Sequence, residues 1–348
     1  MKSHAKVVII GGGIMGVSLL YHLTKEGWSD VVLIEKGELT SGSTWHAAGQ
    51  CPHFVGSYNL AKVHFHSIEL YKQLEKETGQ STGWHGCGSL RLAYTQKDLD
   101  WFYYVKGILN NVGCSAEIVS TQEIPKIHPF IQLDGIIGGL HTPGDGHTDP
   151  TSTTNAMAKG ARNSGAEIYR HNRVTNIRQL PTDEWELVTE KGNIICEHVV
   201  NAAGSFCPEV GHMVGLKNIP SINMIHHYLV TDEHPEIKKL GKELPVVRDP
   251  HSSCYLRQEG KGLLIGIYEK NAKCWALDGM DWKFDMELLE PDLDRLEEHL
   301  KKGMDRIPQF RDVGIKRIIC GPITHTPDGN FLAGPAPGLR NFWMFCAA

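Results

Sequence analysis

Two stretches near the start of this 348-residue chain combine residue types and spacings that can do chemistry. The first is Gly11-x-Gly13-x-x-Gly16, followed nineteen residues later by Glu35. Gly11 permits a tight turn, Gly13 lets the backbone approach a pyrophosphate, and Gly16 lets a helix pack closely on a strand. Ile14 and Met15 open that helix, whose free N–H groups and positive dipole end attract phosphate. Glu35, with Lys36 beside it, stands where ribose hydroxyls need an acceptor, and an acid there argues against a 2′-phosphate. The second stretch is the small, polar loop Leu39–Gly49, with Gly42, Ser43, Thr44, Trp45, His46, Ala47, Ala48 and Gly49 leading to Gln50. It suits a backbone passing under a flat ligand, and it favours flavin over nicotinamide.

The elements around these stretches decide whether the glycines mean more than a turn. Val7-Val8-Ile9-Ile10 reads as a buried strand, Val17, Leu19, Leu20 and Leu23 as a helix closed by Gly27, and Val31-Val32-Leu33-Ile34 as a second strand. Strand, glycines, helix, strand and acid thus occur in the order a βαβ dinucleotide fold requires. Further on, Asn59 to Thr78 and Asp98 to Asn111 read as amphipathic helices, and Asp149-Pro150 caps a helix that stops at Gly165. From Asn223 the pattern changes to longer strands, Tyr228–Thr231, Val246–Arg248, Ser253–Gln258 and Leu263–Tyr268, the last two joined by a Glu259–Gly262 hairpin turn. A helix is expected from Asp292 to Asp305.

Composition narrows the class. An apolar fraction of 41% over this length suits two lobes, and a net charge of −5 with pI near 6.4 argues against nucleic acid or an anionic membrane as principal partner. Nine scattered cysteines without a C-x-x-C pair indicate neither a disulfide framework nor a zinc site, which points to a reducing compartment. The longest apolar run, Val7 to Leu20, is broken by glycines and too short to span a bilayer. His64-x-His66, Cys51-x-His53 and the adjacent His226 and His227 lack the spacing of metal ligands, so no metal is expected. No secretory or mitochondrial presequence is evident, and a cytoplasmic protein is expected, or a matrix protein trimmed of its presequence.

The pairing of VVIIGGG with ELTSGSTWHAAG closely resembles the dimethylglycine dehydrogenase and sarcosine dehydrogenase family, flavoprotein amine and amino-acid oxidoreductases of the DAO type. The resemblance runs over essentially the whole chain. It implies FAD bound covalently through His46, with Val174 and Phe206 as further FAD contacts. The fold implied is α/β, a discontinuous Rossmann-like FAD-binding lobe with a second lobe of antiparallel sheet plus helices. FAD-lobe segments are expected at 1–50, 150–220 and 321–348, and substrate-lobe segments at 51–149 and 221–320. The segments around His226 and Tyr255 resemble family active-site motifs. That match implies that His226 handles the substrate proton and that Tyr255 hydrogen-bonds the substrate.

A substrate carboxylate calls for an arginine. Arg257, Arg91 and Arg248 are candidates, and strand alternation favours Arg257 because it shares a face with Tyr255. The activity implied is oxidative N-demethylation of dimethylglycine or sarcosine by hydride transfer to flavin N5. Electrons would pass to an electron-transfer flavoprotein-like carrier. The rival readings are a non-catalytic regulatory subunit of dehydrogenase-phosphatase type and an oxidase of a related amine. Family members continue past the last strand into a glycine-rich loop, a helix and often a tetrahydrofolate-binding region, so the resemblance implies a C-terminally truncated chain.

Overall fold

Val7 to Ile10 and Val31 to Ile34 are apolar at every position, and the computed structural model, which describes residues 1–347, buries both runs on both faces. That is the signature of parallel strands covered on each side. His4–Ile10 lies parallel between Val31–Ile34 and Gly192–Asn201, with Phe342–Cys346 beyond the latter and Glu167–Tyr169 at the other edge. The helix Ile14–Lys25 covers one face and packs against Pro150–Asn163, whose Gly160 meets the Tyr21 ring where a larger residue could not. Asp149 caps that second helix by accepting from the Ser152 amide at 2.6 Å, with Pro150 in its first turn. The meander Val174–Gln179, Trp185–Thr189 and Gly192–Asn201 extends this eight-stranded sheet.

The second sheet has nine strands and is antiparallel except where Val246–Asp249 runs parallel to Ser89–Ala93. Ile222–Thr231, Gly262–Ile267, Cys254–Glu259 and Val246–Asp249 are successive neighbours in it. One face buries Leu229, Leu256, Ile265 and Ile267 against the helix Glu297–Arg306 and the segments around it. The opposite face presents Tyr228, Tyr255, Leu264 and Ile319, and Ala48 of the loop from the first lobe packs onto it. A two-stranded ribbon, Gln50–Cys51 with Gly146–His147, lies where the chain passes between the two sheets. No helix among the described residues is long and apolar enough to cross a membrane.

Two expectations shift. Gly321–Thr324 belongs to the strand Ile315–His325, which pairs along its length with Ile222–Thr231 in the second sheet, so the return to the first sheet begins after His325 rather than at 321. The helix expected from Asp292 is a single 3-10 turn at Asp294–Leu296 followed by Glu297–Arg306.

Beneath the second sheet, Arg306 is buried and donates to Tyr94 Oη at 2.6 Å, to the Asp134 carbonyl at 3.1 Å and to the Gln132 carbonyl, with Asp249 Oδ2 3.5 Å from its Nε. Removing one partner of such a pair strands the other charge. Arg306→Met should therefore lower unfolding stability by about 3–5 kcal/mol, read as a drop in the urea midpoint.

Candidate active site

The first sheet ends in a cleft of about 1340 Å³, part of it open to solvent, walled by the glycine turn, by Glu35 and Lys36, by Ser41–Thr44, and by Ala202–Phe206. Gly11 holds φ +116°, and a Cβ there would collide with the Ala202 carbonyl, so only glycine fits. Gly16 closes against the Gly11 carbonyl in the same way. Gly13 supplies no side-chain cap to the helix Ile14–Lys25, and the Ile14 amide donates to Thr44 Oγ1 at 3.0 Å. The dipole end of the helix thus faces the cleft. Glu35 accepts from the Gly12 amide at 2.6 Å and the Gly37 amide at 2.8 Å. Burial raises its carboxyl pKa, against the lowering effect of those amides, so further donors such as ribose hydroxyls would suit it. These residues fit a dinucleotide.

Of the residues expected to meet the cofactor, Gly11, Gly13, Ile14, Met15, Glu35, Lys36, Gly42, Ser43, Thr44, Ala47, Val174 and Phe206 line the cleft. Gly16, Trp45, His46, Ala48, Gly49 and Gln50 lie outside its wall. Of these, Gln50 carries a buried Nε2 without a partner, and Gly49 is pressed against the Thr148 carbonyl. His46 is buried and stands edge-on to Trp45, their centroids 5.6 Å apart. Its ring covers Gly321 so closely that a Cβ there would lie 2.5–2.8 Å from three ring atoms. Pro322, the next residue, lines the cleft. Burial lowers the His46 pKa to about 4, so the imidazole is neutral and keeps a free lone pair.

Gly321 pairs with His226 in the second sheet, and a polar row continues from there. His226 Nε2 lies 3.0 Å from Tyr255 Oη, and the Tyr268 ring stands 4.8 Å from the imidazole. Burial, then His227 and Arg248, lowers the His226 pKa to about 3. Burial holds the Tyr255 hydroxyl well above its ordinary value, so the phenol keeps its proton and donates to or accepts from the imidazole according to the ring's tautomer. A Cβ at Gly266 would overlap the Tyr255 ring, so this glycine makes room for it.

Arg257, expected to meet the substrate, instead places Nη1 2.7 Å from Glu259 Oε2 and donates to the Gln258 carbonyl. The arginine opposite Tyr255 in the sheet register is Arg248, its guanidinium 5.0 Å from the Tyr255 ring and 5.1 Å from Tyr268. Arg91 lies next to Arg248 in register and 3.8 Å over Phe54. Burial, then Arg248, lowers the Arg91 pKa to about 9, and Arg248 Nε is buried without a partner. Neither joins an ion pair among the described residues; the two cations repel each other, and Asp145 offsets this for Arg91 only in part.

Sequence reasoning also missed the segment 280–289, which crosses from the second lobe over the cleft. Met280, Trp282, Phe284 and Asp285 line it. The Met280 amide donates to Glu209 at 2.6 Å, Met286 to the Ser41 carbonyl at 3.1 Å and Leu289 to the Cys320 carbonyl at 2.7 Å. Lys36 donates to the Phe284 carbonyl at 2.8 Å, and Trp282 stacks on Phe206 at 5.0 Å. The segment has no helical or strand periodicity to announce it; its aromatic residues were the available signal.

Residues 6–348 match the family described as FAD dependent oxidoreductase (DAO). The mitochondrial dimethylglycine dehydrogenase of Rattus norvegicus is 45% identical over 348 residues, covering 99% of this chain and 40% of the relative. The mitochondrial sarcosine dehydrogenase of Mus musculus is 35% identical over 353 residues, covering 99% and 38%. The chain therefore spans about two fifths of the length of these relatives. Among solved structures, L-proline dehydrogenase from P. horikoshii superposes with a TM-score of 0.87 at 27% identity, covering 100% of this chain and 88% of that one.

The buried imidazoles have a consequence for acid stability. An unfolded histidine takes a proton near pH 6.5, whereas His46 and His226 resist until about 4 and about 3. Their contribution is fully present above pH 6.5 and is lost as pH falls toward those values. His226→Asn should flatten the decline of stability between pH 6.5 and 4 by about one proton, measured as urea midpoints against pH.

Proposed function

The chain belongs to the FAD-dependent oxidoreductase family, and on that premise we propose that it oxidises the N-methyl group of a small N-methylated glycine, dimethylglycine or sarcosine. The observation that carries this reading is the row His46, Gly321, His226, Tyr255 and Arg248 along one face of the second sheet. In it a neutral imidazole, a hydroxyl donor and unpaired guanidinium groups follow the histidine beside the cleft.

In this reading the glycine turn and the helix dipole hold the FAD pyrophosphate, Glu35 the ribose, and His46 the isoalloxazine by a covalent bond. Bound FAD supplies the acceptor for a hydride from the methyl carbon. The substrate carboxylate sits between Arg248 and Arg91, relieving the repulsion between two close cations. Arg257, already paired with Glu259, is left to a structural part.

In the tautomer that carries its hydrogen on Nε2, His226 donates to Tyr255 Oη and accepts a hydrogen bond from the substrate ammonium at Nδ1. While Arg248 is uncompensated it helps hold the imidazole's basicity down, and a bound carboxylate removes that influence, so proton transfer is favoured once substrate is in place. Tyr255 fixes the imidazole through its hydroxyl, and the wall of Tyr228, Leu264 and Ile319 limits water. The oxidised product is captured by water or tetrahydrofolate. Electrons leave to a carrier protein of electron-transfer flavoprotein type, in the cytoplasm or, for a mitochondrial protein, the matrix.

Turnover of dimethylglycine and sarcosine with an artificial electron acceptor tests the reading, and no turnover of either by flavin-loaded protein would end it. Acid precipitation should leave the colour in the pellet for the unaltered protein and in the supernatant for His46→Ala. Arg248→Met should raise KM on the order of a hundredfold, while Arg257→Met leaves KM within a few-fold.

A further inference from the structure

We propose that His85, His147 and Glu243 form a binding site for one divalent transition ion, zinc by its ligand preference. None of the three lines the dinucleotide cleft or belongs to the row at Tyr255. Glu243 stands 158 residues from His85 and 96 from His147 along the chain, and folding brings their ligand atoms within 4.8 Å of one another. Two imidazoles and a carboxylate are a common zinc set, with a fourth place for water.

The backbone fixes the two histidines. The His85 amide donates to the His147 carbonyl at 2.8 Å and the His147 amide to the His85 carbonyl at 3.0 Å, so the residues are directly opposed. Directly opposed residues project to the same side of the ladder. Their rings stack with centroids 4.7 Å apart and planes 7° from parallel. Gly146 presses against the His85 carbonyl, leaving that pair little freedom to shift. Glu243 spans both rings, Oε2 at 2.7 Å from His85 Nδ1 and Oε1 at 2.5 Å from His147 Nε2.

Those contacts are hydrogen bonds, in which each nitrogen facing Glu243 carries the hydrogen. Zinc takes their place when each neutral imidazole carries its hydrogen on the other nitrogen and turns a lone pair inward, which releases no proton. Ligand atoms about 2.0–2.2 Å from zinc in a tetrahedron stand roughly 3.3 Å apart, so Glu243 must retreat by less than about 1 Å and the two rings must turn out of their parallel stack to aim both lone pairs at one ion. Its side chain is partly exposed and sits in the loop before the strand Val246–Asp249, where it can move. His85 is 53% exposed, which leaves an open side for water. The carboxylate offsets half the charge of the ion. A bound ion would tie the loop before Ser89–Ala93, the ribbon strand Gly146–His147 and the entry to the strand that carries Arg248.

The test uses the intact protein, incubated with zinc sulfate, freed of excess by gel filtration and assayed for metal by mass spectrometry. One equivalent should be retained, cobalt in its place should give a tetrahedral visible spectrum, and zinc should raise the melting temperature. His85→Ala and Glu243→Gln, with circular dichroism showing that they fold, should each weaken binding on the order of a hundredfold or more. His66→Ala serves as a control for the exposed pair His22 and His66, whose Nε2 atoms lie 3.2 Å apart, and should change nothing. No retained zinc, full retention by His85→Ala, or loss with His66→Ala would overturn the proposal.

Discussion

The absence of a side chain at Gly321 is the constraint on which the site depends. It allows the loop that follows the dinucleotide turn to lay the His46 ring flat against a strand of the other lobe. That contact is where the first sheet, through residues 39–49, and the second, through Ile315–His325, share one surface. Because the strand pairs with Ile222–Thr231, the position of His46 and that of His226 are fixed by the same ladder. A methyl group at residue 321 would separate the lobes where their alignment counts most.

Around this contact, burial sets the charge state. The imidazoles at 46 and 226 are kept neutral, the Tyr255 hydroxyl is kept protonated, and two guanidinium groups are left outside any ion pair among the described residues. A protein normally pairs enclosed cations, and holding the half-buried Arg91 and Arg248 together outside an ion pair costs stability that an incoming anion would return. The row is therefore charged at one end and neutral at the other. An amino acid with a carboxylate and an amine matches that polarity in only one orientation.

Much of the first lobe was legible because its signals are local: apolar runs of strand length, glycines at fixed offsets and an acid after the second strand all lie within thirty-five residues. The cap at Asp149 was legible for the same reason. The arginine was not. Alternation along one strand correctly puts Arg257 and Tyr255 on one face, but two residues along a strand move a side chain roughly 6.6 Å. Arg248, on the neighbouring strand, stands directly opposite Tyr255, and register between strands is not written in either segment. The boundary placed at 321 failed likewise, since a glycine and a proline read as a break until their pairing with residues 225 and 226 is known. The cluster of His85, His147 and Glu243 leaves no spacing motif at all.

The segment that crosses the cleft has a bearing on kinetics. Its amides at 280, 286 and 289 and its carbonyl at 284 are each bonded to a different part of the protein, and its indole lies on Phe206. Uncovering the cleft on that side requires several of these attachments to part together, as a cooperative unit. A ligand passing through that side would wait on such a local opening rather than on diffusion alone.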